Sequence, residues 1–366
     1  MSYYLLQIIE VFAIAFVGAL LTTPLSIKVA HKLDIIDRPR DDRRIHDRPI
    51  PRFGGMAMVI GISIAMLIPA QNNHLLKAAI VGGLLMYLIG ALDDKFDLKP
   101  IIKFLGQFAV ASIVYFMGIK ISVVGSLFSF SYTNANLVLN GGVAYVVTVL
   151  WIVGVTNAVN LMDGMDGLAA GTTMIMALSL AYVAYIHGNR LGSMSVCIAL
   201  MAVAGGCAGF LPYNFSPAKT FMGDGGSLYL GYMIAVLSVI SPLKRATMVG
   251  AIIPILALAV PIFDTAFAIV RRLWRGQSIM TADKEHLHHH LRSAGYGQRR
   301  SVLIIYGIVG IMGIVSVLIS RELYKDAFFL AMIAFLYLMI IIVPKQPEKK
   351  LPKRGSAKIK KEEDEE

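Results

Sequence analysis

Charge is scarce in this chain. Asp, Glu, Lys and Arg make up only 16% of its 366 residues, against 57% apolar residues, whereas soluble domains carry charge at about a quarter of positions. An ordinary soluble fold is excluded, and a bilayer is the solvent that fits. Cysteine is scarcer still: Cys197 and Cys207 share one apolar run, which leaves two small buried hydrophobes and no disulfide or thiolate metal framework. No Lys or Arg precedes Lys28, so the first apolar stretch lacks the basic lead of a signal peptide and reads as a retained span. The net charge of +11 has none of the aromatic and base-reading company of a nucleic-acid surface. Nucleic acid is therefore not an expected partner; membrane lipid is.

What the chain does have is apolar length. Runs near the roughly 20 residues that cross a hydrocarbon core fall at 4–27, 54–70, 76–92, 101–118, 141–158, 168–187, 194–211, 225–241, 247–270, 301–319 and 327–344. These predict an all-α polytopic membrane protein of about eleven helices. Of the Lys and Arg residues, 26 lie in 31–53, 93–103, 212–224, 271–300 and 345–366, and 7 in the opposite loops. Basic loops stay on the cytoplasmic side, which places the N-terminus outside and the C-terminus inside. Residues 1–344 then form one transmembrane domain, and the Lys-, Glu- and Pro-rich stretch 345–366 reads as a disordered cytoplasmic tail.

The unusual polar clusters sit in the loops assigned inside. Asp93 and Asp94 are adjacent carboxylates at the end of the third run, and their mutual repulsion calls for a nearby cation. Lys95, Lys99 and Lys103 follow at helical spacing and predict one cationic stripe suited to phosphates. Asn157, Asn160, Asp163 and Asp166 recur every third position, a spacing that a helical or 3₁₀-like turn would present on one side. Asp224 lies between glycines at the start of a run, either a helix N-cap or a hard-cation ligand, with Asn160, Asp163 or Asp166 supplying a second oxygen.

Near the C-terminal end, TADKEHLHHHL holds His286, His288, His289 and His290. Zinc is the first thought, yet the residue between His286 and His288 is Leu287, where the metalloprotease pattern has Glu. The basic neighbourhood of Arg271, Arg272, Arg275, Lys284 and Arg292 favours phosphate contact through imidazole N–H groups. Asp264, inside an apolar run, is either a functional acid or half of an ion pair.

The motifs RRIHDRPIPRFGG, DDKFDLKPIIK, NAVNLMDGMDGLAAG, FMGDGGSLYLGY, PIFDTAFAIVRR and DKEHLHHHL resemble, in order, those of the polyprenyl-phosphate N-acetylhexosamine-1-phosphate transferases. The likeness runs from about residue 20 to 310. It is greatest to the bacterial undecaprenyl-phosphate GlcNAc-1-phosphate transferases that start wall teichoic acid or lipopolysaccharide glycans. The resemblance implies a Mg²⁺-dependent enzyme of the bacterial plasma membrane, with its site facing the cytoplasm and Mn²⁺ as a substitute ion. Its substrates would be UDP-GlcNAc and undecaprenyl phosphate, its products UMP and undecaprenyl-pyrophosphoryl-GlcNAc, with a homodimer as a permitted assembly. By motif position, Asp224 and Asn160 would hold Mg²⁺, Asp93 and Asp94 would serve the acceptor phosphate, and Lys103 would contact phosphates. Asn157, Asp163, Asp166 and Asn214 would lie near nucleotide or sugar, and the four histidines near pyrophosphate. His290 departs from the pattern, since many such chains carry Arg there. Phospho-MurNAc-pentapeptide transfer is the alternative within the family. Outside it, a transporter of anionic sugars or lipids would instead need polar residues at mid-membrane on both halves of the chain together with inverted repeats, and the sequence shows neither pattern.

Overall fold

The computed structural model describes residues 2–38, 49–121, 123–125, 136–188, 192–241, 255, 258–259, 262, 266, 270, 274, 291 and 296–342. The four histidines, Asp264, the tail and nearly all of the run at 247–270 fall outside these residues. Ten of the eleven expected spans coincide with described helices. In chain order these are α1 (Ser2–Leu33), α2 (Gly55–Ala70), α3 (His74–Phe96), α4 (Pro100–Phe116), α5 (Gly141–Met162), α6 (Leu168–Ile186), α7 (Ser193–Asn214), α8 (Gly223–Ile240), α9 (Gln298–Ser320) and α10 (Tyr324–Ile342). Seven of them are long and apolar enough to cross a membrane, while α2 and α4 are shorter. Two short antiparallel strand pairs interrupt the helical pattern: β1 (Ile36–Asp37) with β2 (Ile50–Pro51), and β3 (Val123–Gly125) with β4 (Asn136–Val138).

Apolar runs become helices here because backbone N–H and C=O groups in lipid must find partners inside the segment. The ends follow local chemistry. The Asn73 side chain accepts from the Leu75 and Leu76 N–H groups to open α3, and Asn140 accepts from Val143 N–H to open α5, both as N-caps. Asp97 turns left-handed (φ 50°) to close α3, and Pro100 opens α4 behind Lys99, a sequence of stop and start that proline favours. This break overturns one expectation: Lys95, Lys99 and Lys103 do not share a helix. Lys95 stays on α3 with its ammonium 5.3 Å from the Phe96 ring, and only Lys103 reaches the acids.

Helix α8 forms the centre, buried along almost its whole length. It packs chiefly against α3 and α5, while α1 packs on α7 and α2, and α6 on α7 and α9. Lipid tails are as apolar as leucine, so close packing and hydrogen bonds must hold such helices together. Ser63 and Tyr229 share a hydroxyl–hydroxyl bond of 2.9 Å, and the Trp151 indole donates to Ser238 Oγ at 3.1 Å. The outward faces of α1 and α10 present Leu6, Leu21, Phe328 and Ile333, as lipid contact requires.

Candidate active site

One end of the bundle gathers four of the polar motifs. The segment after β2 is zipped onto the chain just before α8: Phe221 N–H donates to Pro51 O (2.8 Å), Gly54 N–H to Phe221 O (2.9 Å) and Gly55 N–H to Met222 O (3.0 Å). Arg52 is thereby carried to the mouth of α8, where its Nη2 lies 3.6 Å from Asp94 Oδ1 and 3.9 Å from Asp224 Oδ1. Burial alone would lower its pKa, but the carboxylates of Asp94, Asp224, Asp37 and Asp163 outweigh that and hold it above the ordinary guanidinium value.

Asp224 occupies the first turn of α8. Its Oδ2 meets the ammonium of Lys103, which also donates to Asp93 Oδ2 at 2.9 Å. The other oxygen of Asp224 accepts from Asn160 Nδ2 at 3.2 Å, and the same amide nitrogen reaches Ser227 Oγ at 2.8 Å. One carboxylate is thus held between a lysine, an arginine and an amide. Asp93 is further fixed by Leu98 N–H at 2.9 Å. Asp94, its neighbour, points elsewhere: Oδ1 accepts from Asp224 N–H (2.9 Å) and Oδ2 from Gly225 N–H (3.0 Å).

The acids and amides at 157–166 do not lie on one continuous helical turn. Asn157 and Asn160 lie on the last turns of α5, Asp163 caps it, and Asp166 lies in the turn before α6. Asn157 pairs with the buried Gln107 of α4, accepting from its Nε2 at 3.3 Å and donating to its Oε1 at 2.5 Å. Asp166 Oδ2 accepts from Ala218 N–H at 3.1 Å. Asn214 is buried and ties two loops together, accepting from Gly167 N–H at 3.1 Å and donating to Thr220 O at 3.0 Å. Of the residues expected from sequence, Asp93, Asp94, Lys103, Asn160 and Asp224 form one connected cluster, with Asn157, Asp166 and Asn214 holding the surrounding helices and loops.

Arg52, Gln107, Ser227 and Arg299 were missed from sequence. Gln107 had a local signal, a polar residue one turn after Lys103 on an apolar helix. Arg52 was one cation among several in RRIHDRPIPRFGG, and only its pairing across the fold singles it out. Arg299 donates to Ser216 O at 2.9 Å and lines an open cleft of about 460 Å³ with Arg300, Gln298, Gly297 and Ser216.

Among the described residues, no group of three or more His, Cys, Asp or Glu side chains forms a metal cage. The donor set nevertheless suits one ion. Asp224 supplies a carboxylate oxygen, and Asn160, whose Nδ2 here donates to Asp224, would offer its amide oxygen to the ion with the amide turned over; both are hard donors, and Mg²⁺ takes few protein ligands and completes its octahedron with water and phosphate oxygens.

A bundle of membrane-length helices with a carboxylate held among cations and amides at one end defines a polytopic membrane protein with a charged polar site at one end of its helices. Residues 76–242 match the model of glycosyl transferase family 4. Over 338 residues, 92% of each chain, the protein is 39% identical to the probable undecaprenyl-phosphate N-acetylglucosaminyl 1-phosphate transferase of Bacillus subtilis. It is 35% identical over 312 residues to the decaprenyl-phosphate N-acetylglucosaminephosphotransferase of Mycolicibacterium smegmatis, covering 78% of this chain and 75% of that one. It is also 31% identical over 333 residues to the phospho-N-acetylmuramoyl-pentapeptide-transferase of Listeria welshimeri, covering 87% and 98%. The chain belongs to glycosyl transferase family 4.

Asp163 yields a pH prediction. Desolvation first, then the negative charge of Asp224, pushes its pKa well above the ordinary carboxylate value; Asp94 and Asp166 add to this and Arg52 offsets part. The folded protein therefore keeps this proton to higher pH than the unfolded chain does. The associated stability is fully present below about pH 4 and declines as pH rises toward the raised folded value. Asp163→Asn mimics the protonated form, so its melting temperature in detergent should fall less than that of wild type between pH 5 and 8. Parallel profiles for the two proteins would show that Asp163 carries no such shift.

Proposed function

We propose that the protein transfers GlcNAc 1-phosphate from UDP-GlcNAc to undecaprenyl phosphate, releasing UMP, as the first lipid-linked step of a cell-wall or surface glycan. The observation that carries this reading is the Lys103–Asp224–Asn160 cluster at one end of a membrane bundle, in a chain so similar to the Bacillus subtilis relative. In the reaction an oxygen of the acceptor phosphate bonds to the sugar-linked phosphorus, and the bond from that phosphorus to the UMP oxygen breaks. Phosphoryl transfer of this kind depends mainly on positioning and charge neutralisation.

Each residue has a place in that scheme. Asp224 and Asn160 would hold Mg²⁺, with Mn²⁺ as substitute, and the ion would supply positive charge against the diphosphate and the UMP leaving group. Lys103, steered by Asp93, faces the reacting phosphates as a fixed ammonium. Asp163 and Asp166 lie toward nucleotide and sugar, with Asn157 and Asn214 shaping that side. His286, His288, His289 and His290 donate to pyrophosphate oxygens. Eleven spans, with the N-terminus outside and the site and C-terminus in the cytoplasm, agree with the distribution of 26 against 7 basic residues.

Membranes containing the wild-type protein and supplied with undecaprenyl phosphate should release UMP from UDP-GlcNAc in a Mg²⁺-dependent manner. They should release little from UDP-MurNAc-pentapeptide, and the reverse preference would move the protein to the alternative branch. Asp224→Asn should lower the rate at least about 100-fold, the scale of losing a dominant electrostatic contact at a phosphoryl centre. Near-normal turnover with unchanged Mg²⁺ dependence would remove Asp224 from the metal site. For topology, single cysteines placed in 31–53, 93–100 and 276–298 should react with an impermeant maleimide only when the cytoplasmic side is open. External labelling in 276–298 would contradict a single-sided site.

A further inference from the structure

We infer that Asp94 is a positioning residue, supplying the N-terminal cap of α8 from another helix and thereby aiming Asp224, and that it does not contact the acceptor phosphate. The inference rests on the proposed transferase reading and separates two adjacent aspartates that the sequence presents as equivalent.

The first amides of a helix have no partner within it and are usually satisfied by a side chain at the N-cap. In α8 the residue at that position is Met222, and it makes no side-chain cap. Both oxygens of Asp94, 130 residues away in sequence, take that place by accepting from the N–H groups of Asp224 and Gly225. These two amides belong to the peptide units on either side of the Asp224 α-carbon. Fixing both peptide planes fixes the direction of the Cα–Cβ bond between them, and so the line along which the Asp224 carboxylate meets Lys103 and Asn160. An anionic cap also complements the positive end of the helix dipole.

The surroundings leave no room for another role. The Asp94 side chain is 2% exposed, against 12% for Asp93 and 22% for Asp224. A methyl group added at Gly90, one turn earlier on α3, would lie 2.4 Å from the Asp224 carbonyl, so the two backbones already touch. Gly223 has φ +69°, and a Cβ there would lie 2.4 Å from Asp94 Oδ2. The carboxylate is enclosed by Gly223, two amides and Arg52, a site that selects for length as much as for charge.

That selectivity gives the test. A general base or phosphate ligand needs the charge, so Asp94→Glu would keep activity and Asp94→Asn would lose it. A cap in a tight enclosure gives the opposite order: Asn retains one acceptor oxygen at the right length, whereas Glu is one methylene too long. We expect UMP release to fall about 10-fold in Asp94→Asn and more than 100-fold in Asp94→Glu. For purified Asp94→Asn in detergent, the Mg²⁺ concentration giving half-maximal thermal stabilisation should rise about 5-fold or more, with KM for undecaprenyl phosphate within about twofold of wild type. Should Asp94→Glu fail to accumulate, this split in Asp94→Asn decides alone. Equal or greater activity in Glu than in Asn, a raised acceptor KM, or an unchanged Mg²⁺ midpoint would each overturn the assignment. Wild-type protein measured alongside separates the two levels: if it shows neither UMP release nor stabilisation by Mg²⁺, the transferase reading itself fails.

Discussion

Asp93, Asp94 and Asp224 come together at one end of a membrane bundle, where like charges in a poorly solvated setting repel. The arrangement persists because each carboxylate has a different kind of partner. Asp93 shares the Lys103 ammonium with Asp224, Asp94 faces two backbone amides, and Arg52 lies within 4 Å of both Asp94 and Asp224. Removing one partner from such a cluster leaves an uncompensated charge, which is the costly event in buried ion pairs. The zipped loop that brings Arg52, the α3–α4 break that turns Lys103 inward and the start of α8 all serve this balance.

Hydropathy made the helical architecture legible, since lipid forces every spanning segment to satisfy its own backbone. The ends were less so: α1 continues to Leu33, six residues beyond the expected run, and α3 ends at a left-handed Asp97. That single residue, with Pro100 behind it, dissolves the lysine stripe, because spacing of four residues has meaning only within one continuous helix. Asp224 and Asn160 were legible as site residues because polar groups at the ends of apolar helices are costly without partners. The difference between Asp93 and Asp94 was not, since neighbouring residues on a helix point about 100° apart and only the packed fold tells which direction meets α8. Asn214 was named from its motif, but its loop-tying contacts were hidden for a similar reason, as its partners Gly167 and Thr220 lie on two separate loops.

The one-ended distribution of polar chemistry also bears on the competing class. A transporter needs binding groups near the bilayer midplane. Polar contacts within the helices, such as Ser63 with Tyr229, Trp151 with Ser238 and Ser112 with Tyr145, join helices to one another, whereas the clustered charged groups among the described residues gather where α3, α4, α5 and α8 end or begin. In the proposed reaction, a site of that kind would let a lipid-borne phosphate approach from the side and a soluble nucleotide from the water.

In the proposed site, Asp224 and Asn160 form the cation-binding pair beside Lys103. Anomalous diffraction from crystals of the full chain soaked with Mn²⁺ tests it directly. A peak at coordination distance, about 2 Å, from the Asp224 carboxylate and beside the Asn160 amide is the result predicted. A peak among His286, His288, His289 and His290, with none at Asp224, would contradict it.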